Sequence, residues 1–151
     1  MQNINWHIYW QLDNKLFQNE GKVMEALEKS FECGFLITKL KLKKATILDA
    51  LEFKSELDEE ILKGNHNIII DLGSCEFLDS TFIGVLVVTW KKLKTLGGKF
   101  KLVKPGNFTK SVFHLTGTIE LFETYESREE ALSSFVTPIQ DYSTKKIKTV
   151  Q

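Results

Sequence analysis

Asp79-Ser80 is the pair in this sequence whose residue types and placement could do chemistry. It follows an apolar run and opens a stretch of helical periodicity, so it lies where backbone N–H groups have no partner within a helix. Such a terminus favours negative charge, through those N–H groups and through the helix dipole. A serine there serves either as a plain N-cap or as a residue on which added phosphate is well accommodated. Position alone favours the cap. No GxSxG, P-loop or GxGxxG pattern occurs, so nothing marks the serine as a hydrolase nucleophile and no phosphate-cradling loop is signalled. His7, His66 and His114 are far apart and none has metal-ligand spacing with Cys33 or Cys75, so no metal or cofactor is expected. Cys75, near the pair, reads as a small packed thiol.

The helix that Ser80 opens runs to about Leu96 and is stopped by Gly97-Gly98. At about 100° per residue, Phe82, Leu86, Thr89, Trp90, Leu93 and Leu96 gather on one side. Ser80, Thr81, Gly84, Val88, Lys91 and Thr95 gather on the other. That second face is short-chained near Ser80 and basic further down, and Val88 is an apolar residue on what should be the wet side. Small residues let another protein's backbone approach closely, which makes Asp79, Thr81, Gly84, Val88 and Lys91 candidate partner contacts around Ser80. Lys91, Lys92 and Lys94 otherwise read as a solvated helix face.

The surrounding pattern alternates strand and helix. Met24–Phe31 and Phe35–Leu42 read as strands joined at Glu32-Cys33-Gly34, with Leu36, Thr38, Leu40 and Leu42 on one face and Ile37 on the other with Lys39 and Lys41. Ile47–Leu62 reads as a helix with Leu48, Leu51, Leu57 and Ile61 as its apolar stripe, closed by Gly64. Glu56, Asp58, Glu59 and Glu60 look like its wet surface. The β-branched run Asn67–Leu72 has the character of a strand covered on both faces. Lys99–Val103 is the next strand, ended by Pro105-Gly106. A short helix at Phe108–Leu115, a short strand at Glu120–Glu123 and a last helix at Ser127–Phe135 follow, with Ser127 and Glu130 as a capping box. Strands separated by helical segments argue an α/β sheet with crossovers.

The chain has 151 residues, about one domain's worth. Its 20 Lys and Arg balance 20 Asp and Glu, which argues against nucleic acid as a partner. Two cysteines without a CxxC fit a reducing cytoplasm. The opening Met-Gln-Asn-Ile-Asn-Trp-His has no signal-peptide character, and no apolar run approaches the roughly 20 residues of a membrane span. Residues 1–22 form an arm carrying Trp6, Ile8, Tyr9, Trp10, Leu12, Leu16 and Phe17, too rich in aromatics for a disordered tail. It is expected to pack on the domain or, as a homodimer contact, on a second copy. Residues 137–151 read as a frayed polar tail.

Ile68-Ile69-Ile70-Asp71-Leu72, Phe77-Leu78-Asp79-Ser80-Thr81 and Gly84-Val85-Leu86 together resemble the core signature of STAS domains, of the bacterial anti-sigma factor antagonist type. The likeness continues through Leu96–Val103, Val112-Phe113 with Leu115-Thr116-Gly117, and Phe122 with Glu129-Glu130-Ala131-Leu132. It covers about Met24 to Leu132. The resemblance implies a non-enzymatic protein that sequesters an anti-sigma factor serine kinase, and that is released when the serine after the aspartate, here Ser80, is phosphorylated. A phosphatase for Ser80 would reset the switch. Two positions depart from the family pattern. Phe82 stands where a glycine is usual, pointing away from Ser80 on the helical wheel, and Lys43-Lys44-Ala45-Thr46 replaces a Gly and a Leu-Asp pair.

The expectation is therefore a STAS-like mixed sheet of four to five strands with packed helices over residues 23–136, flanked by the arm and the tail. Its leading function is a partner-switching antagonist in the cytoplasm, with neither nucleic acid nor membrane as partner. The alternative is a STAS interaction module of a transport or signalling assembly in which Ser80 is not phosphorylated.

Overall fold

The computed structural model describes residues 25–134. The expectations placed on the arm and on the tail lie outside the described residues. Strands β1 (Leu27–Glu32) and β2 (Phe35–Leu40) form an antiparallel hairpin. Their turn is Cys33-Gly34, both at positive φ (52° and 82°), the twist that a two-residue hairpin loop requires. Strands β4 (Asn67–Asp71), β6 (Lys99–Val103) and β7 (Glu123–Tyr125) then add in parallel, giving the order β1-β2-β4-β6-β7. Parallel neighbours need the chain to cross back, and α1 (Ile47–Leu62), α2 (Ser80–Thr95) and α3 (Asn107–Thr116) make those returns. A last helix, α4, is described over residues 128–134.

The alternation of β2 and β4 divides the interior in two. Leu36, Leu40, Ile68, Ile70 and Leu102 meet Phe53, Leu57, Phe82, Leu86, Leu93 and Phe113 of the three crossover helices. Ile37, Ile69 and Val103 face the other way and meet Ala131 of α4. The expected double coverage of β4 is thus observed. Behind α2, Gly97 takes φ 76° to end the helix. Gly98 passes so close to β4 that a Cβ there would lie 2.0 Å from the His66 carbonyl oxygen.

Several boundaries differ from the sequence reading. Residues 25–26 are helical, so β1 begins at Leu27, and β2 ends at Leu40 although Leu42 is still buried. The expected strand at Glu120–Glu123 is instead a 3-10 turn at Thr118–Glu120 followed by β7, because Gly117 at φ 73° ends α3 and the chain turns once more. The buried side of α1 is Ala50, Phe53, Leu57 and Ile61, while Leu48 is exposed and Leu51 half-buried. Glu56 and Glu60 are not wet surface: both are buried, held by the Lys29 ammonium of β1 at 3.0 and 2.9 Å. Leu96, expected on the apolar side of α2, is exposed at its C-cap. The Ser127 hydroxyl does accept the Glu130 N–H at 3.1 Å, but the Glu130 carboxylate returns to the Glu126 N–H rather than to Ser127.

Two very short strands had no periodicity to betray them. β3 (Lys44–Ala45) and β5 (Phe77–Leu78) pair in parallel just before α1 and α2, respectively. Their pairing sets the starts of the two helices side by side.

Candidate functional site

Asp79 is the N-cap of α2, and its backbone is extended as a cap requires. One carboxylate oxygen accepts the Phe82 N–H at 2.9 Å, and the Asp79 carbonyl accepts the Ile83 N–H at 3.0 Å. The other carboxylate oxygen accepts the Ile47 N–H at 2.7 Å, in the first turn of α1. The β3–β5 pair makes this reach possible: Ala45 is paired with Leu78, and the Asp79 N–H donates to the Ala45 carbonyl at 3.1 Å. The start of α1 has its own capping box, in which the Asp49 carboxylate accepts the Thr46 N–H at 3.0 Å and the Thr46 hydroxyl accepts the Leu48 N–H. One carboxylate therefore serves two helix starts, and each supplies it with partial positive charge.

Ser80 follows directly, exposed in the first turn of α2. Thr81, Gly84, Val88 and Lys91 are exposed with it, so the helical wheel placed that face correctly. Val88 keeps 48% of its surface in water. A Cβ on Gly84 would meet nothing within 4 Å, so the fold does not require a glycine there. Phe82, which replaces the usual family glycine, is fully buried, with its ring stacked on Phe53 at 4.7 Å. It fills the space between α1 and α2 and does not screen Ser80.

Lys43 and Lys44 are exposed in the segment that departs from the family pattern, and Ile47 and Leu48 follow them with exposures of 40% and 36%. Sequence reasoning did not bring Ile47 to the site. The one available signal was Thr46-x-x-Asp49, a capping pattern that places a helix start at Ile47. Of the three lysines read as a solvated face, Lys91 and Lys94 are exposed, with Lys94 over the Trp90 ring. Lys92 is exposed as well, and its ammonium reaches across to Asp58 of α1 at 3.0 Å. Cys75 is buried and donates to the Phe77 carbonyl, and burial pushes its thiol pKa up, as suits a packed rather than reactive group. Among the described residues no cluster of His, Cys, Asp and Glu could hold a metal ion, and no helix is long and apolar enough to cross a membrane.

A profile of the STAS domain matches residues 16–131. This chain belongs to the STAS family. BtrV of Bordetella bronchiseptica, provisionally named an anti-sigma factor antagonist, is 26% identical over 91 residues, which cover 60% of this STAS chain and 78% of BtrV. A crystal structure from Thermotoga maritima, of a protein with the same provisional name, is similar at a TM-score of 0.65 and 27% identity, over 72% of this chain and 92% of its own. SpoIIAA, a Bacillus cell fate determinant and anti-sigma factor antagonist solved in a phosphorylated form, shares the fold at a TM-score of 0.59 and 18% identity, over 73% of this chain and 99% of its own. The expected mixed sheet with packed helices is that fold.

Proposed function

We propose that this chain is an anti-sigma factor antagonist of a partner-switching system. It binds an anti-sigma factor serine kinase while Ser80 is unmodified and leaves it when Ser80 carries phosphate. The observation that carries this reading is the placement of Ser80: exposed, in the first turn of α2, at the head of a small-residue face, in a STAS domain. The names of BtrV and of the Thermotoga maritima protein support the antagonist role, and the phosphorylated form of SpoIIAA supports phosphate as its control.

The chemistry asks little of this chain. The Ser80 hydroxyl oxygen forms a bond to the γ-phosphorus of ATP, the bond to the bridging oxygen breaks, and ADP leaves. The hydroxyl proton passes to a base of the kinase. The product brings about −1.5 to −2 charge to a helix start, where the free domain tolerates it. Inside a tight complex the same charge lies beside the Asp79 carboxylate and away from water, so repulsion and desolvation favour dissociation. A phosphatase removes the group and restores binding. Gly84 supports the docking face: nothing in the fold needs it, and it costs the helix about 1 kcal/mol relative to alanine. The buried position of Phe82, whose ring does not screen Ser80, weighs against a STAS module whose serine is not modified.

The test is incubation with ATP and an anti-sigma factor serine kinase from the same genome, read by intact mass and by pull-down. One phosphate on wild type, none on Ser80→Ala, and loss of kinase binding on phosphorylation are expected. If wild type and Ser80→Ala agree in mass and in kinase binding, the reading is wrong.

A further inference from the structure

We propose that Asp79 is a positioning residue that carries a modification at Ser80 to the first turn of α1, so that phosphate is sensed on two helices rather than one. The inference rests on Ser80 being the phosphoacceptor. What carries it is the double use of the Asp79 carboxylate, fixed at one end by the Phe82 N–H at 2.9 Å and at the other by the Ile47 N–H at 2.7 Å.

The two ends are not equivalent. Phe82 lies within α2, two residues after Ser80, among the N–H groups that a phosphate on Ser80 would seek as an acceptor. Ile47 lies on another element, 32 residues away in sequence. Its N–H has Asp79 as its acceptor, whereas those of Leu48, Asp49 and Ala50 are taken by Thr46. Phosphate on Ser80 competes for the Phe82 N–H and repels the carboxylate. Asp79 is then held at Ile47 alone, by a side chain no longer fixed at its other end. The first turn of α1 loosens as a result. That turn carries the exposed side chains of Ile47 and Leu48, so the altered surface extends beyond the phosphate itself.

The experiment installs phosphoserine at position 80 during synthesis of the full chain, so that no kinase is involved. The backbone amides of Ile47 and Phe82 are then followed by NMR, with and without the phosphate. In wild type, phosphoserine is expected to speed hydrogen exchange at the Ile47 amide by about fivefold, the equivalent of one ordinary hydrogen bond, and to shift its resonance. In Asp79→Asn the side chain has a single acceptor oxygen and no charge, and the Ile47 amide is expected to respond less than twofold. Asp79→Ser, which can cap α2 but is too short to reach Ile47, provides a second variant with a sound helix start. An Ile47 amide indifferent to phosphoserine in wild type overturns the proposal, as does a response in either variant as large as that in wild type. Neither result bears on whether a kinase modifies Ser80, which the mass experiment above decides.

Discussion

The two sides of α2 are built on different principles. Phe82, Leu86 and Leu93 on one side are completely buried, and each has a packing reason to be what it is. Ser80, Gly84, Val88 and Lys91 on the other are exposed, and nothing in the described fold explains their types. The first side is accounted for by the stability of this chain, and the second is the face that the proposed function assigns to a partner. That outer face, with its glycine and its valine, is where the proposed partner is expected to dock.

The contrast can be broken most severely from the buried side. Phe82→Gly restores the residue usual in the family, yet here it removes a fully buried ring stacked on Phe53 and puts glycine inside a helix. A loss of about 4–5 kcal/mol is expected in urea unfolding, and a loss under 1 kcal/mol would mean that the ring is not a core element. Next comes a polar contact that the fold does need. Lys29→Met leaves the buried Glu56 without its cation and Glu60 with only Lys63 at 3.6 Å, at an expected cost of about 2–3 kcal/mol for this partly exposed cluster.

The same cluster predicts a pH response. Burial pushes the Glu60 carboxyl up, but hydrogen bonds from Lys29 and Asn65 outweigh it and hold its pKa below the ordinary 4.5. Its contribution is complete above 4.5 and is lost as pH falls through the lower, folded value. Burial likewise works to lower the Lys29 pKa, while the hydrogen bonds it donates to Glu60 and Glu56 hold it above 10.5. That contribution is complete below 10.5 and is lost as pH rises through the higher, folded value. Urea midpoints measured across the pH range should therefore fall at both ends in wild type, and more shallowly in Lys29→Met.

The exposed side should behave in the opposite way. Gly84→Ala is expected to gain about 0.5–1 kcal/mol of stability while weakening the complex with the kinase, measured by calorimetry. A gain in stability with unchanged binding would take Gly84 out of the docking face. Smallest of all, Ser80→Ala should leave the unfolding free energy within about 0.5 kcal/mol of wild type, because Asp79 rather than Ser80 caps the helix.

The faces of α2 were legible because helical periodicity acts on neighbouring residues, and equally local patterns, period two in β2 and an unbroken apolar run in β4, gave the alternation of the one and the double coverage of the other. What stayed hidden depends on residues distant in sequence. The Asp79–Ile47 bond requires β3 and β5 to pair, and two residues carry no readable period. Glu56 and Glu60 were misread because their charge suggests water, and nothing local reveals Lys29 on the neighbouring strand. The shift of the last strand to Glu123–Tyr125 has a similar origin, since a left-handed glycine at 117 adds a turn that apolar patterning does not register.

The strand order has a consequence for synthesis. Apart from the short β3 and β5, the strands lie in the sheet in the order in which they leave the ribosome, so each pairs with one already made and none has to insert between two others. The cost falls on timing. After β4 emerges, the edge formed by Ile68, Ile69 and Ile70 waits for β6 while the whole of α2 is translated, ~2–6 s at ordinary elongation rates. During that interval the nascent chain displays an unpaired, strongly apolar strand edge. The growing polypeptide is open to misassociation then, while α2 is being made.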